Sequence, residues 1–138
     1  MSESTSESKH HLLVVRNLQV EDYERITEIM DGAYTLMNDI WKKSQIRKLV
    51  KLFPEGQLCV EDNGRVVAFS LSIIVDYDKF GDAHTYKKIT GDETFSTHDP
   101  DGDVLYAIEI SVDPEYRGMR LGRRLYDARK ELCEHMNL

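Results

Sequence analysis

Cysteine is nearly absent from this 138-residue chain: Cys59 and Cys133 stand far apart, each inside an apolar stretch. Two such residues provide no disulfide framework and no ligand cluster for zinc. No apolar run approaches the ~20 residues that span a bilayer. The opening MSESTSESKH lacks the hydrophobic centre of a secretory signal. These absences make a cytoplasmic protein without a membrane contact the simplest expectation. Basic residues are also in short supply: 18 Lys and Arg face 25 Asp and Glu, a net charge of −7, which argues against nucleic-acid binding. What remains, 41% hydrophobic and 31% charged, is the composition of one folded domain with a core of its own.

The charges are unevenly placed. Between Arg117 and Lys130 six basic residues meet one acid, a local +5 that leaves −12 on the rest of the chain. Such a compact basic segment suits a small polyanion better than a long one. The alternative reading is a solvated helix face whose arginine stems cover apolar neighbours.

Along the chain, residues 1–10 hold four serines and no apolar residue beyond Met1, and are expected to be disordered, with the folded domain over 11–138. Leu12 to Arg16 reads as a strand and Val20 to Met37 as an amphipathic helix weakened at Gly32. Trp41 to Phe53 reads as a second helix, stopped by Pro54 and Gly56. Asn63-Gly64 between Gln57–Asp62 and Arg65–Val75 predicts a tight hairpin, because both turn residues need φ > 0. The second arm, apolar on both faces, predicts a central strand. Residues 76–103 form a long polar loop with one helical turn expected near His84 to Ile89. Its Asp99-Pro-Asp-Gly-Asp reads as a turn rather than a calcium loop, and His84 and His98 have no metal-ligand spacing, so no metal is assigned. Val104 to Val112 is the last strand and Arg120 to Met136 the last helix.

The chemistry lies where these two meet, in V-D-P-E-Y-R-G-M-R-L-G-R-R-L, Val112 to Leu125. A strand ends, the chain turns through two glycines, and a helix opens among arginines. A helix amino terminus presents unpaired N–H groups and a partial positive charge, glycine lets a ligand approach the backbone, and arginine bonds phosphate oxygens. The segment therefore predicts a pyrophosphate cradle, with a basic Gly-containing connection as the plain alternative.

This junction resembles the acetyl-CoA motif of the GNAT superfamily of N-acetyltransferases, Arg/Gln-x-x-Gly-x-Gly/Ala after a strand ending Val-x-Pro-x-Tyr. The matching residues are Val112, Pro114, Tyr116, Arg117 and Gly122; Arg120 stands where glycine is usual. The order of elements over Leu12 to Leu138 is also similar to that family. More narrowly, FPEGQLCVEDNGRVVA, VDYDKFGDAHTYKKITGD and YRGMRLGRRLYDARKELCE resemble the GNAT domain of proteins fused to a carbon–nitrogen hydrolase (nitrilase-like) domain.

The resemblance implies an α/β fold, a mixed and mostly antiparallel sheet flanked by helices, that lacks the usual C-terminal strand and helix. It implies transfer of an acetyl group from acetyl-CoA to a small-molecule or protein primary amine. Gly118, Met119, Arg120, Leu121, Gly122 and Arg123, with Arg117, would cradle the phosphates. Backbone groups of Ile110, Ser111 and Val112 would meet the pantetheine arm. Glu109 is the carboxylate placed to take the amine's proton, its alternative being a hydrogen-bonded edge residue. Tyr106, Tyr126 and Trp41 are expected to pack, and Cys133 to be a small core residue. The rival function is a non-catalytic acyl-CoA-binding module docked on a fused or adjacent hydrolase domain, or paired as a homodimer through its uncovered sheet edge.

Overall fold

The computed structural model describes residues 10–33, 41–80 and 85–138. One antiparallel sheet runs through it in the order β1 (Leu13–Asn17), β2 (Leu58–Asp62), β3 (Arg65–Val75), β4 (Val104–Val112). Every pairing is antiparallel, as the hairpin signal requires for β2 and β3. Asn63 and Gly64 take φ of 51° and 89°, the left-handed pair that a two-residue hairpin needs. β3 is the central strand expected from its sequence: every residue from Val66 to Val75 is buried.

Two layers of helix cover the sheet. On one face α1 (Tyr23–Ala33) and α2 (Lys43–Leu52) bury Ile26, Ile29, Met30, Ile46 and Leu49 against Cys59, Phe69, Leu71, Ile73 and Val75. On the other, α5 (Leu121–Met136) sets Leu121 and Leu125 on Leu58, Val60, Val67 and Ala68. The alternation along β3 supplies both cores, which is why that strand carries apolar residues at nearly every position.

The structure corrects several expected boundaries. The first helix opens with a 3-10 turn, Val20–Asp22, and α1 is described as far as Ala33, one residue past the weak point at Gly32. Gly32 serves packing: a Cβ at this position would stand 3.3 Å from the Pro114 ring, so α1 lies directly on the turn after β4. The rest of that expected helix, residues 34–37, and the tail up to residue 9 lie outside the described residues. Trp41 precedes α2 instead of starting it, and Phe53 ends it. The polar loop holds two short helices, α3 (Tyr77–Phe80) and α4 (Tyr86–Ile89), where one turn was expected. Its aspartates do form a turn, with Asp101 N–H donating to Asp99 Oδ1 at 2.9 Å. At the end of α5, Asn137 (φ 61°) takes the left-handed cap position that glycine commonly fills, its amide bonding back to Glu134 O at 3.3 Å.

β2 is shorter than β3, so half of β3 would show a bare edge. Side chains close it. The buried Gln57 amide donates to Ser72 O at 2.8 Å and accepts from Ser72 N–H at 2.9 Å, as a neighbouring strand would. Two residues on, Ile74 N–H donates to His98 Nδ1 at 3.1 Å and Ile74 O accepts from Asp99 N–H at 2.7 Å.

Candidate functional site

β4 ends at Val112, a 3-10 turn follows over Pro114–Tyr116, and α5 begins at Leu121. Between them Gly118 sits at φ +88°, open to glycine and strained for any other residue. Arg120 is the residue before the helix and takes the left-handed conformation, φ 59° and ψ 35°. A glycine would hold that shape without cost; an L-residue gives up about 1 kcal/mol. The unusual arginine thus keeps the turn that glycine would make, and its own side chain gives the helix no cap.

The first intrahelical bond of α5 is Arg124 N–H to Arg120 O, 3.1 Å. The amides of Leu121, Gly122 and Arg123 precede it and point out of the helix start. A Cβ on Gly118 or on Gly122 would meet nothing within 4 Å, so the space over these amides is open. Arg117, Arg120, Arg123 and Arg124 are all exposed around it. Arg123 also pairs with Asp127 one turn on, at 3.2 Å. Open space, outward N–H groups and four exposed guanidinium groups thus meet at this helix start.

Two polar attachments hold the turn in place, and neither is visible from spacing along the chain. Asp62, at the hairpin end of β2, accepts from Tyr116 Oη at 2.6 Å, from Leu12 N–H at 2.9 Å and pairs with His11 Nδ1 at 2.7 Å. The Tyr116 hydroxyl, followed by His11 and the Leu12 amide, holds the Asp62 carboxyl below the usual carboxylate range against the effect of burial. Reciprocally, its bond to Asp62 and then burial push the Tyr116 phenol up to about 12. On the other side, Arg25 of α1 donates to Val66 O at 2.8 Å and to Asp113 Oδ2 at 2.9 Å. Asp113 caps the 3-10 turn by accepting from Glu115 N–H, 2.9 Å. Burial opposes ionisation of Asp113, but the Glu115 amide and the Arg25 guanidinium outweigh it and keep its carboxyl low.

The second half of the site is β4 itself. Its register against β3 slips between Leu71 and Ser72: Glu109 faces Leu71, Ala107 faces Ser72, and Ile108 is the extra residue of a β-bulge. The bulge places Tyr106, Glu109 and Ser111 on one face, toward α1 and α2. Glu109 Oε2 accepts from Ser111 Oγ at 2.5 Å, and Oε1 lies 3.4 Å from Trp41 Nε1. Trp41 is fixed by Phe95 (ring centroids 5.8 Å apart) and by Tyr23 Oη donating to its carbonyl at 2.6 Å. Tyr86, at the start of α4, lies 6.5 Å from the Tyr106 ring. Burial, then the Glu93 and Glu109 carboxylates, raise the Tyr86 phenol well above its ordinary value. The outer edge of β4 carries no strand among the described residues.

Sequence reasoning brought together Glu109, Ile110, Ser111 and Val112 on one strand end, and Arg117 to Arg123 at the helix start; the structure has the first group at the end of β4 and the second across the turn into α5. It missed Arg25, Asp62 and the aromatic side of the loop. Two packing expectations change. Tyr126 is 55% exposed and stands off the core. Cys133 is only half-buried, whereas Cys59 is fully buried and its thiol is pushed by burial up to about 12. No group of three or more metal-binding side chains exists among the described residues, and no helix of the structure is long and apolar enough to cross a membrane.

Comparison with known proteins extends this picture. The family model described as Acetyltransferase (GNAT) family matches residues 15–138. A protein named probable hydrolase YhcX of Bacillus subtilis is 36% identical over 126 residues, which is 91% of this chain and 24% of that protein. An uncharacterized N-acetyltransferase, YkwB, of the same organism is 31% identical over 127 residues, 90% of this chain and 56% of its own length. Among solved structures, the loading GNATL domain of CurA from Lyngbya majuscula superposes with a TM-score of 0.73 at 20% identity, over 88% of this chain and 58% of that one. The chain therefore spans about a quarter and just over half of the two curated relatives.

Proposed function

The chain belongs to the GNAT acetyltransferase family, and from that premise we propose that it moves an acetyl group from acetyl-CoA to a primary amine. The observation that carries this reading is the open helix start of α5, with outward amides, no side chain at Gly118 or Gly122, and arginines around it. The CoA pyrophosphate would accept from the backbone N–H groups of Gly118 to Arg123, with Arg117, Arg120 and Arg123 adding charge. The pantetheine arm would run along the outer edge of β4 and bond Ile110, Ser111 and Val112. That would bring the thioester to the bulge at Ile108, beside Glu109.

The amine arrives protonated, and Glu109 takes a proton from it, directly or through water. The freed nitrogen lone pair attacks the thioester carbonyl carbon. Backbone N–H groups at the bulge stabilise the oxyanion by a few kcal/mol. The C–S bond then breaks and the amide forms as the nitrogen's second proton passes to the departing sulfur, so that CoA leaves as the thiol and Glu109 returns its proton to water. Free cysteines fit a reducing compartment, so we place this reaction in the cytoplasm.

The rival reading is an acyl-CoA-binding domain that serves a neighbouring hydrolase domain without turnover. The hydrolase name of YhcX, of which this chain covers 24%, favours it. A thermal shift with acetyl-CoA, with ATP as control, tests both readings at the cradle. A rise with acetyl-CoA alone supports CoA binding; no rise removes both. Turnover with a panel of amines, and its loss in Glu109→Gln at unchanged acetyl-CoA affinity, separates the enzyme from the binding domain.

A further inference from the structure

Both oxygens of Glu109 face a donor, the Ser111 hydroxyl at Oε2 and the Trp41 indole at Oε1. Ser111 is 5% exposed and Trp41 is 6% exposed, so the surrounding packing holds both donors in place. Most buried hydroxyls give their proton to an acceptor, although Ser70 Oγ on the neighbouring strand has none among the described residues. Ser72, on the neighbouring strand, gives its proton to a main-chain carbonyl, Gly56 O, at 2.8 Å. Ser111 instead lies 2.5 Å from a carboxylate oxygen two residues back on its own strand. Residues at i and i+2 share a face of a strand, and the bulge at Ile108 sets which face that is.

We infer that Ser111 and Trp41 are positioning residues for the acetyl transfer proposed above, holding the Glu109 carboxylate in the one orientation from which it takes the amine's proton. The inference rests on that reading of Glu109. A glutamate on an edge strand has three rotatable side-chain bonds, and fixing them costs on the order of 1 kcal/mol. The donors meet that cost before the substrate arrives, Ser111 at Oε2 and the indole at Oε1. Ser111 thereby has two separable parts: its backbone belongs to the edge proposed for the pantetheine arm, while its hydroxyl acts on Glu109.

Kinetics of the full chain with acetyl-CoA and its best amine test this. Ser111→Ala lowers kcat about tenfold and leaves the KM for acetyl-CoA unchanged, a loss confined to the chemical step. Ser111→Thr, which keeps the hydroxyl on a strand-compatible side chain, restores most of the rate. In the Glu109→Gln background Ser111→Ala costs nothing further, because the two act as one unit. Equal losses in both backgrounds, or a threonine variant no better than alanine, would overturn the inference. If Glu109→Gln itself leaves the rate unchanged, the fault lies with the base assignment. The carboxyl carbon resonance of Glu109, followed by NMR, gives a reading without turnover: it moves on Ser111→Ala, and a resonance that stays put refutes the clamp even in an inactive chain.

Discussion

Gly122 offers the sharpest test of what the helix start is for. If its missing side chain served the fold, replacing it would destabilise the protein; if it serves a ligand, replacement would spare the fold and damage binding. The structure decides between these in advance, since a Cβ at Gly122 meets no atom within 4 Å. Gly122→Leu should therefore fit. Leucine also gains up to about 0.8 kcal/mol of helix propensity over glycine, of which roughly half, ~0.4 kcal/mol, is realised in the first turn. With an unfolding entropy of ~2.1 cal/mol/K per residue, 138 residues give ~0.29 kcal/mol/K, so the free protein melts about 1–2 °C higher. Binding goes the other way. The new side chain fills the space through which phosphate oxygens reach the amides, and affinity falls at least tenfold, ~1.4 kcal/mol. Acetyl-CoA at a hundred times the wild-type Kd adds ~2.7 kcal/mol, a rise of about 9 °C; at ten times Kd it adds ~1.4 kcal/mol, about 5 °C. Differential scanning fluorimetry with and without acetyl-CoA reads both quantities in one plate. A Gly122→Leu protein that melts several degrees lower without ligand, or that keeps the full rise with it, would refute the reasoning.

Other consequences can be measured the same way. Tyr116→Phe removes a donor from buried Asp62 and should cost about 2 kcal/mol, some 7 °C in Tm. The phenol is raised in the folded protein, so wild-type stability is lost as pH climbs from about 10 through about 12, and the Phe variant should lack that part of the alkaline loss. His98 accepts a backbone N–H through Nδ1 and is held neutral by burial, against the pull of Asp99 and Glu55. Its contribution is full above the ordinary histidine value and is lost as pH falls through the lowered one. Urea midpoints should drop between pH 7.5 and 5.5, and His98→Leu should flatten that slope; an equal slope would remove the histidine from the account. Arg129 buries Nε and Nη2 with no hydrogen-bond partner among the described residues. Arg129→Met should therefore raise Tm by roughly 3–4 °C, about 1 kcal/mol, and a fall would show that the guanidinium has a partner.

The elements of the fold were largely legible because their signals are local. Asn63-Gly64 demands its turn, the unbroken apolar run of β3 demands two covers, and the stripe on α5 demands a core. The helix start was legible for the same reason, since glycines, arginines and the end of β4 lie within fourteen residues. The attachments that hold it were not. Arg25 reaches Asp113 across 88 positions and Asp62 reaches Tyr116 across 54, and no periodicity records such pairs. The bulge at Ile108 was equally hidden: it shifts which face Tyr106 presents, yet nothing in VLYAIEISV marks it. Gly32 shows the converse, a residue legible as a weak point of the helix whose packing reason, the Pro114 ring, lies far along the chain.

That last contact makes α1 and the turn after β4 a single mechanical part. Arg25 and Gly32 lie seven positions apart, two turns along one face of α1, and grip Asp113 and Pro114 respectively. With no side chain between the Gly32 backbone and the proline ring, the turn cannot shift without carrying the helix along. The helix leads toward the side of the sheet where Glu109 and Trp41 stand, so in the proposed reaction the acetyl-CoA turn and the amine side would share one strut. Under that reading, strain placed on the strut by one substrate would reach the other, and linkage would make the effect on binding equal in both directions.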